Sequence, residues 1–260
     1  MAKQDKSIAI VTGGGSGIGK QSAIQLAKQG YSVAIFEVEE DSASETVKEI
    51  QALGAEAMFV KGDVQKEDDI QTAFSKVASS WDGSIKAVLA NAGVNGVFQA
   101  IEHMKVEDWD TTQATNLRST FLTTKHAIPY LKEAGGGSIV ITSSINGNRK
   151  FSGAGMSAYS ASKAGQVAFM KMAAVELGQY NIRVNAVCPG AIETNIGENT
   201  HIQKEVDEIR IPVEYPKGEI PLGGHGKPDQ VASVVGFLCS EHSNHVSGME
   251  LYVDGAQSLL

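Results

Sequence analysis

Short apolar runs alternate with stretches of helical periodicity along nearly the whole chain, and this alternation limits the fold more than any other feature. Runs at 8–11, 33–36, 57–60, 87–90, 138–142, 183–187 and 250–253 are near-continuous in apolar residues and too short to be helices. Between them, 18–29, 41–53, 67–77, 110–131, 157–177 and 231–238 read as helices, with Gly30 and Gly54 as stops after the first two. Strands of this kind belong in a parallel sheet covered on both faces. Right-handed crossovers then make the sheet doubly wound. The prediction is an α/β fold with about seven parallel strands and helices on both faces. No repeat or low-complexity linker divides the 260 residues, so 1–260 is read as one domain.

Charge and cysteine usage exclude several classes. Asp and Glu outnumber Lys and Arg by 30 to 22, a net charge of -8, which argues against a nucleic-acid partner. Cys188 and Cys239 are too few for a disulfide framework or a four-thiolate zinc site. Both lie in apolar surroundings, as small buried residues of a reducing compartment do. Residues 1–7 are polar, and no apolar run approaches the roughly 20 residues of a membrane helix. The expectation is a cytoplasmic protein with no membrane partner. His242 and His245, beside Glu241, form no convincing metal set, so no metal is expected. Trp81 and Trp109 read as packing residues. The segment 190–228 is irregular and holds four of the six prolines. A long irregular insertion in a compact domain is usually functional, and 191–227 is expected to form a lid.

Thr12, Gly13, Gly14, Gly15, Ser16, Gly17, Ile18 and Gly19 follow the first strand and open the first helix. A glycine turn here lets backbone approach a diphosphate, which the helix N-terminus receives. The same turn serves equally to pack helix on strand, and the literal G-x-G-x-x-G spacing is absent. Glu37 narrows the choice. It ends the second strand, 20 residues after Gly17, where a dinucleotide fold places the carboxylate that accepts the ribose hydroxyls. A carboxylate there repels a 2′-phosphate, so NAD is favoured over NADP. No Arg or Lys lies within 13–19, which leans the same way, although Lys20 follows directly. Glu37 also starts an acidic run that could be a plain solvated face.

Tyr159 and Lys163 are four apart on a predicted helix and share a face. A free tyrosine, with a pKa of ~10, is a poor acid–base group near neutrality. A neighbouring ammonium is expected to lower that pKa.

With these residues the chain resembles the short-chain dehydrogenase/reductase family. The signatures, in order, are the Thr12-Gly-x3-Gly-Ile-Gly turn, Asp63-Val64, Asn91-Ala92-Gly93, Tyr159-x3-Lys163, and Pro189-Gly190 with Thr194. The resemblance implies a Rossmann-like fold and a homotetramer. Tyr159 would be the general acid/base and Lys163 its electrostatic partner. Asn116 would hold a water relaying protons to Lys163. Ser144 would bond the substrate oxygen. Gly13, Ser16, Gly17, Ile18 and Gly19 would cradle the dinucleotide. Asp63 and Val64 would meet its adenine, and Asn91, Ala92 and Gly93 its adenine ribose. Pro189, Gly190, Ile192 and Thr194 would flank the nicotinamide end.

One spacing departs from the family. Ser144 lies 15 residues before Tyr159, farther than is usual, and Asn146 occupies the usual place. An enlarged loop at 151–157 accommodates this, with Ser143 and Asn146 as substitutes for Ser144. Strand alternation says that Ser143 and Ser144 do not both face the site.

The leading expectation is an NAD(H)-dependent oxidoreductase acting on a secondary alcohol or ketone. An NADPH-dependent 3-oxoacyl-[acyl-carrier-protein] reductase is the alternative. Its acidic carrier would need a basic patch, for which Lys125, Lys132, Arg149 and Lys150 are the candidates. A catalytically silent dinucleotide-binding scaffold comes third, because it predicts loss of Tyr159, Lys163, Asn116 or the serine, and none is lost. The residues at 94–99, 146–157 and 191–226 would decide the substrate and do not name it.

Overall fold

The computed structural model describes residues 6–151, 153–216 and 218–260. The start of the polar N-terminus, Ser152 of the enlarged loop and Lys217 of the expected lid lie outside the described residues.

All seven expected strands form. They are β1 (Lys6–Thr12), β2 (Ser32–Glu37), β3 (Ala57–Lys61), β4 (Gly83–Ala90), β6 (Gly137–Thr142), β7 (Ile182–Pro189) and β9 (Glu250–Val253), and they make one parallel sheet in the order β3-β2-β1-β4-β6-β7-β9. The chain reverses its direction of travel between β1 and β4, which opens a crevice at the carboxyl ends of these strands. Two short strands, β5 (Gly96–Phe98) and β8 (Thr200–Ile202), pair apart from the main sheet. The 190–228 segment is therefore not wholly irregular, because β8 anchors it to the chain that follows β4.

Alternation along each strand divides the core between two faces. Ile8 and Ile10 join Val88, Ile139 and Ile141 on one side. There they pack against α3 (Glu67–Ser80), α5 (Ser119–Glu133) and α6 (Ser157–Leu177) through Phe74, Leu131 and Met170. Ala9 and Val11 join Leu89, Val140 and Val187 on the other. That side is covered by α1 (Gly17–Lys28), α2 (Glu40–Ala52) and α7 (Pro228–Cys239) through Leu26, Ile50 and Val235. Burying one Ile or Leu contributes about 1.5–3 kcal/mol, so both helical layers are held by the same strands. Cys188 and Cys239 are unpaired and buried, as expected.

The helix expected over 110–131 is two helices. It starts earlier, as α4 (Val106–Gln113), passes through a π-turn at Ala114–Arg118, and continues as α5. The hydroxyls of Thr111, Thr112, Thr115 and Thr120 each donate to the carbonyl four residues back. Such bonds compete with the helix ladder and loosen it locally, and π-turns gather at functional sites. Trp109, expected to pack, stands partly exposed on α4.

Candidate active site

A cleft of about 1260 Å³ lies over the carboxyl ends of the central strands. Ligand pockets are typically ~300–1,000 Å³, so this one has room for a dinucleotide and a second molecule. All the site residues expected from sequence line it except Gly19 and Asn116, which stand behind its wall.

The glycine turn forms the cleft's floor. Gly13 holds φ at +67°, and a Cβ there would stand 2.8 Å from Cα of Ala92. A Cβ on Gly19 would stand 2.0 Å from the carbonyl oxygen of Gly13, so this glycine closes the turn rather than touching a ligand. Ser16 is the N-cap of α1 but makes no side-chain capping bond. The first-turn N–H groups at Gly17 and Ile18 therefore lack a side-chain partner at the cleft edge, which suits a diphosphate.

Carboxylates surround the far end. Glu37, Glu39, Asp41 and Asp63 all line it. Glu37 accepts from the N–H of Val38 at 2.9 Å and of Gly15 at 3.4 Å, which points its carboxylate beside the glycine turn. Asp63 accepts from the N–H of Gln65 at 2.9 Å. Lys20 does not reach the cleft. It pairs with Glu49 at 2.9 Å and Glu45 at 3.5 Å on α2.

Asn91 is the keystone between three strands. Its amide donates to the carbonyls of Thr12 and Gly13 and accepts from the Thr142 hydroxyl. Thr12 completes the knot, its hydroxyl accepting from the N–H groups of Asn91 and Ala92. Asn91 lines the cleft with its polar atoms already engaged, so its side chain serves to hold the cleft wall together.

Tyr159 and Lys163 share a face of α6, as their spacing demands, and both are buried. The Lys163 ammonium donates to the carbonyl of Thr142 at 2.9 Å and lies 5.6 Å from the Tyr159 ring centroid. Burial takes the Lys163 pKa down to about 8. Burial also pushes the Tyr159 phenol above its ordinary value, opposed by a hydrogen bond with Ser144. The lowering expected from the neighbouring ammonium is thus reversed in the chain by itself. Desolvation is the largest influence on both groups.

Ser143 and Ser144 lie just beyond β6, and both line the cleft, contrary to the strict alternation expected of a strand, but their hydroxyls have different partners. The Ser143 hydroxyl donates to the Lys163 carbonyl at 3.0 Å. Ser144 faces Tyr159, and its hydroxyl also bonds Asn146 Oδ1 at 3.3 Å. Asn146 stands beside Ser144 rather than in its place.

Asn116 sits in the π-turn, wholly buried. Its amide clamps Val94 from both sides, accepting from the N–H at 2.8 Å and donating to the carbonyl at 2.9 Å. It also donates to Ser162 Oγ at 2.9 Å. Its own carbonyl accepts from Gln166 Nε2 at 2.9 Å and from the Thr120 hydroxyl. The Asn116 side chain is thus engaged with Val94, in the turn between β4 and β5, and with Ser162. Gly93, between Asn116 and Lys163, has no Cβ to crowd either group.

Asn95, Lys150, Asn195 and Glu219 also line the cleft. They fall within the three segments expected to decide the substrate, but sequence reasoning assigned none of them a role in the site.

The Enoyl-(Acyl carrier protein) reductase family model matches residues 13–256, nearly the whole chain. The chain belongs to the short-chain dehydrogenase/reductase family. Members of this oxidoreductase family bind a nicotinamide dinucleotide, and the cleft described above fits one. A cyclohexanol dehydrogenase from Acinetobacter sp. (strain SE19) is 34% identical over 254 residues, 98% of this chain and 96% of that relative. The crystal structure of a 3-ketoacyl-ACP reductase from Sinorhizobium meliloti 1021 superposes with a TM-score of 0.92 at 44% identity, covering 97% of this chain and 99% of the other. A 3-ketoacyl-(acyl-carrier-protein) reductase from Brucella melitensis, complexed with NADH, superposes at 0.85 with 30% identity, covering 98% and 99%. No helix among the described residues is long and apolar enough to cross a membrane, and no group of three or more metal-ligating side chains is found among them.

Proposed function

We propose that this short-chain dehydrogenase/reductase is an NAD(H)-dependent oxidoreductase that interconverts a secondary alcohol and its ketone. One observation carries the reading. The Tyr159 phenol, the Lys163 ammonium and the Ser144 hydroxyl line the same cleft as the glycine turn and Glu37.

Gly13, Ser16, Gly17 and Ile18 would hold the diphosphate, and Glu37 the adenosine ribose. Asp63 and Val64 would border the adenine, with Asn91, Ala92 and Gly93 next to the ribose. Pro189, Gly190, Ile192 and Thr194 would flank the nicotinamide, under a lid formed by 191–227. The bound dinucleotide supplies a hydride donor or acceptor. Burial keeps Tyr159 protonated, so in reduction it donates its phenolic proton to the substrate oxygen. In oxidation it accepts the alcohol proton as phenolate. Ser144 donates to the developing oxyanion. Lys163, with a pKa of about 8, can lose and regain a proton near neutrality and recharge Tyr159. Asn116 holds the Val94 backbone beside this set.

NAD is favoured over NADP by the carboxylates at the adenosine end and by the engagement of Lys20 with α2. Phe121, Met172 and Val175 stand exposed on α5 and α6, which supports a homotetramer covering these helices. Two unpaired, buried cysteines accord with a reducing cytoplasm.

Acyl-carrier-protein reduction is a second reading, favoured by the Sinorhizobium likeness. Against it, each candidate docking cation is engaged within the chain. Lys125 pairs with Glu67, Lys132 and Arg149 lie over the rings of Tyr180 and Tyr252, and Lys150 lines the cleft beside Glu219. A silent scaffold has no feature in its favour.

Fluorescence titration of purified protein with NADH and NADPH at one salt concentration tests the reading. Tighter NADH binding, levelled by Glu37→Ala, supports it. Tighter NADPH binding promotes the acyl reductase, and binding of neither revives the scaffold.

A further inference from the structure

We propose that Lys150 is a subsite for a substrate carboxylate, which makes the substrate a small hydroxy acid or its keto acid. The inference rests on the alcohol–ketone reading above and names the substrate class for it. Among the described residues, Lys150 and Lys163 are the cations that line the cleft. Lys163 is committed to Thr142 and to the chemistry at Tyr159. Lys150 is left at the substrate end, with Ser144, Asn146, Met156 and Tyr159.

Its placement is built, not incidental. The Lys150 N–H donates to the carbonyl of Ile145 at 3.0 Å. Its carbonyl accepts from the Asn146 amide at 3.2 Å, and Asn146 Oδ1 accepts from the Ser144 hydroxyl at 3.3 Å. Two hydrogen-bonded links therefore join Lys150 to the hydroxyl proposed to hold the reacting oxygen. The side chain is only 10% exposed, and its ammonium lies 5.0 Å from the Tyr215 ring centroid. An ammonium so enclosed needs an opposing charge.

Glu219 supplies that charge, its carboxylate 3.3 Å from the ammonium and about half exposed. Glu219 itself lines the cleft, so the ammonium already holds one carboxylate there, and a substrate carboxylate would exchange with it. Exchange of one for the other keeps the charge count unchanged. A phosphate dianion exchanged for Glu219 would set two negative charges against one ammonium. A neutral substrate would leave the pair intact and gain nothing from it. Asn95, Asn146 and Asn195 line the same end and suit a polar molecule rather than a long hydrocarbon.

The test is calorimetric binding to the NADH-saturated full chain of three unreactive probes: cyclohexanecarboxylate, cyclohexanecarboxamide and cyclohexylphosphonate. The carboxylate is expected to bind roughly tenfold or more tighter than the amide, as a hydrogen bond to a charged group would give. Lys150→Met should level the two, Lys150→Arg should restore part of the preference, and Glu219→Gln should tighten the carboxylate several-fold but not the amide. Circular dichroism checks that each variant is folded. Equal binding of acid and amide, a preference that survives Lys150→Met, tighter phosphonate binding, or no binding at all would each overturn the proposal. Oxidation assays with cyclohexanol and 4-hydroxycyclohexanecarboxylate separate the two readings. Acid-selective binding without turnover of either alcohol rejects the oxidoreductase and keeps the subsite. Turnover of both without preference for the acid rejects the subsite and keeps the oxidoreductase.

Discussion

The Lys20 ammonium lies 2.9 Å from the Glu49 carboxylate, so the cation nearest the glycine turn in sequence is neutralised from α2. Its hydrogen bond to Glu49 holds it above the usual lysine pKa. A 2′-phosphate would therefore meet Glu37 with no free cation from Lys20. Glu37→Arg is expected to weaken NADH and strengthen NADPH, a swing of roughly 100-fold in their ratio, from one charged hydrogen bond lost and one gained. Glu45→Gln with Glu49→Gln frees Lys20 but leaves it outside the cleft, where a charge pair contributes little, so NADPH should gain no more than about fivefold. Fluorescence titration at fixed salt reads both. Equal effects from the two replacements would remove Glu37 as the discriminating group.

Ser144 acts on the proton of Tyr159 as well as on substrate. Burial raises the phenol pKa and the bond with Ser144 lowers it. Alcohol oxidation needs phenolate, so its rate should climb with pH. Ser144→Ala removes the lowering contribution, and the rising limb of the rate profile should move to higher pH. The turnover rate should also fall by about 10²–10³-fold, the cost of one lost oxyanion donor. Stopped-flow rates across the pH range would show both. A fall in rate with an unmoved limb would mean that Ser144 acts on substrate alone.

The strands were legible because parallel-sheet segments are apolar on both faces and leave an unbroken run in the sequence. Tyr159 and Lys163 were legible because helical spacing alone decides that they share a face. Their titration was not, because spacing reports proximity and says nothing of desolvation. The π-turn at Ala114–Arg118 was hidden, since a change of hydrogen-bond register leaves the hydrophobic period nearly intact. Lys150 and Glu219 lie 69 residues apart, and no local pattern pairs them. The β5–β8 contact was missed for the same reason, as three-residue strands carry too little periodicity to be seen.

Asn116 is expected to hold the site's shape, with activity following from it. Its amide satisfies both polar groups of Val94 and the Ser162 hydroxyl in a wholly buried place. Asn116→Ala leaves the partly buried N–H and carbonyl of Val94 unpaired, at a cost toward the lower end of about 1–3 kcal/mol each. Chemical denaturation should show a loss of roughly 2–5 kcal/mol. Asn116→Asp keeps the acceptor for the Val94 N–H but removes the donors, and should fall between. A loss of turnover with unchanged stability would assign Asn116 to the proton path instead.

Lys163 imposes a stability cost with a defined pH window. Its folded pKa of about 8 lies below the ordinary lysine value of 10.5, so between these the unfolded chain binds the extra proton and stability rises with pH. Below pH 8 the full cost of keeping a buried ammonium charged is present, about 3 kcal/mol for a shift of this size. Lys163→Met removes that cost and forfeits a hydrogen bond to Thr142, worth about 1 kcal/mol. The variant should therefore be inactive yet more stable at pH 7, by about 5 °C in apparent midpoint. Its advantage should shrink as pH rises from 8 toward 10.5. Thermal melts of the two proteins at pH 7, 8.5 and 10 check the trend. A difference that stays constant across the three would show that Lys163 keeps its ordinary affinity for the proton in the folded chain.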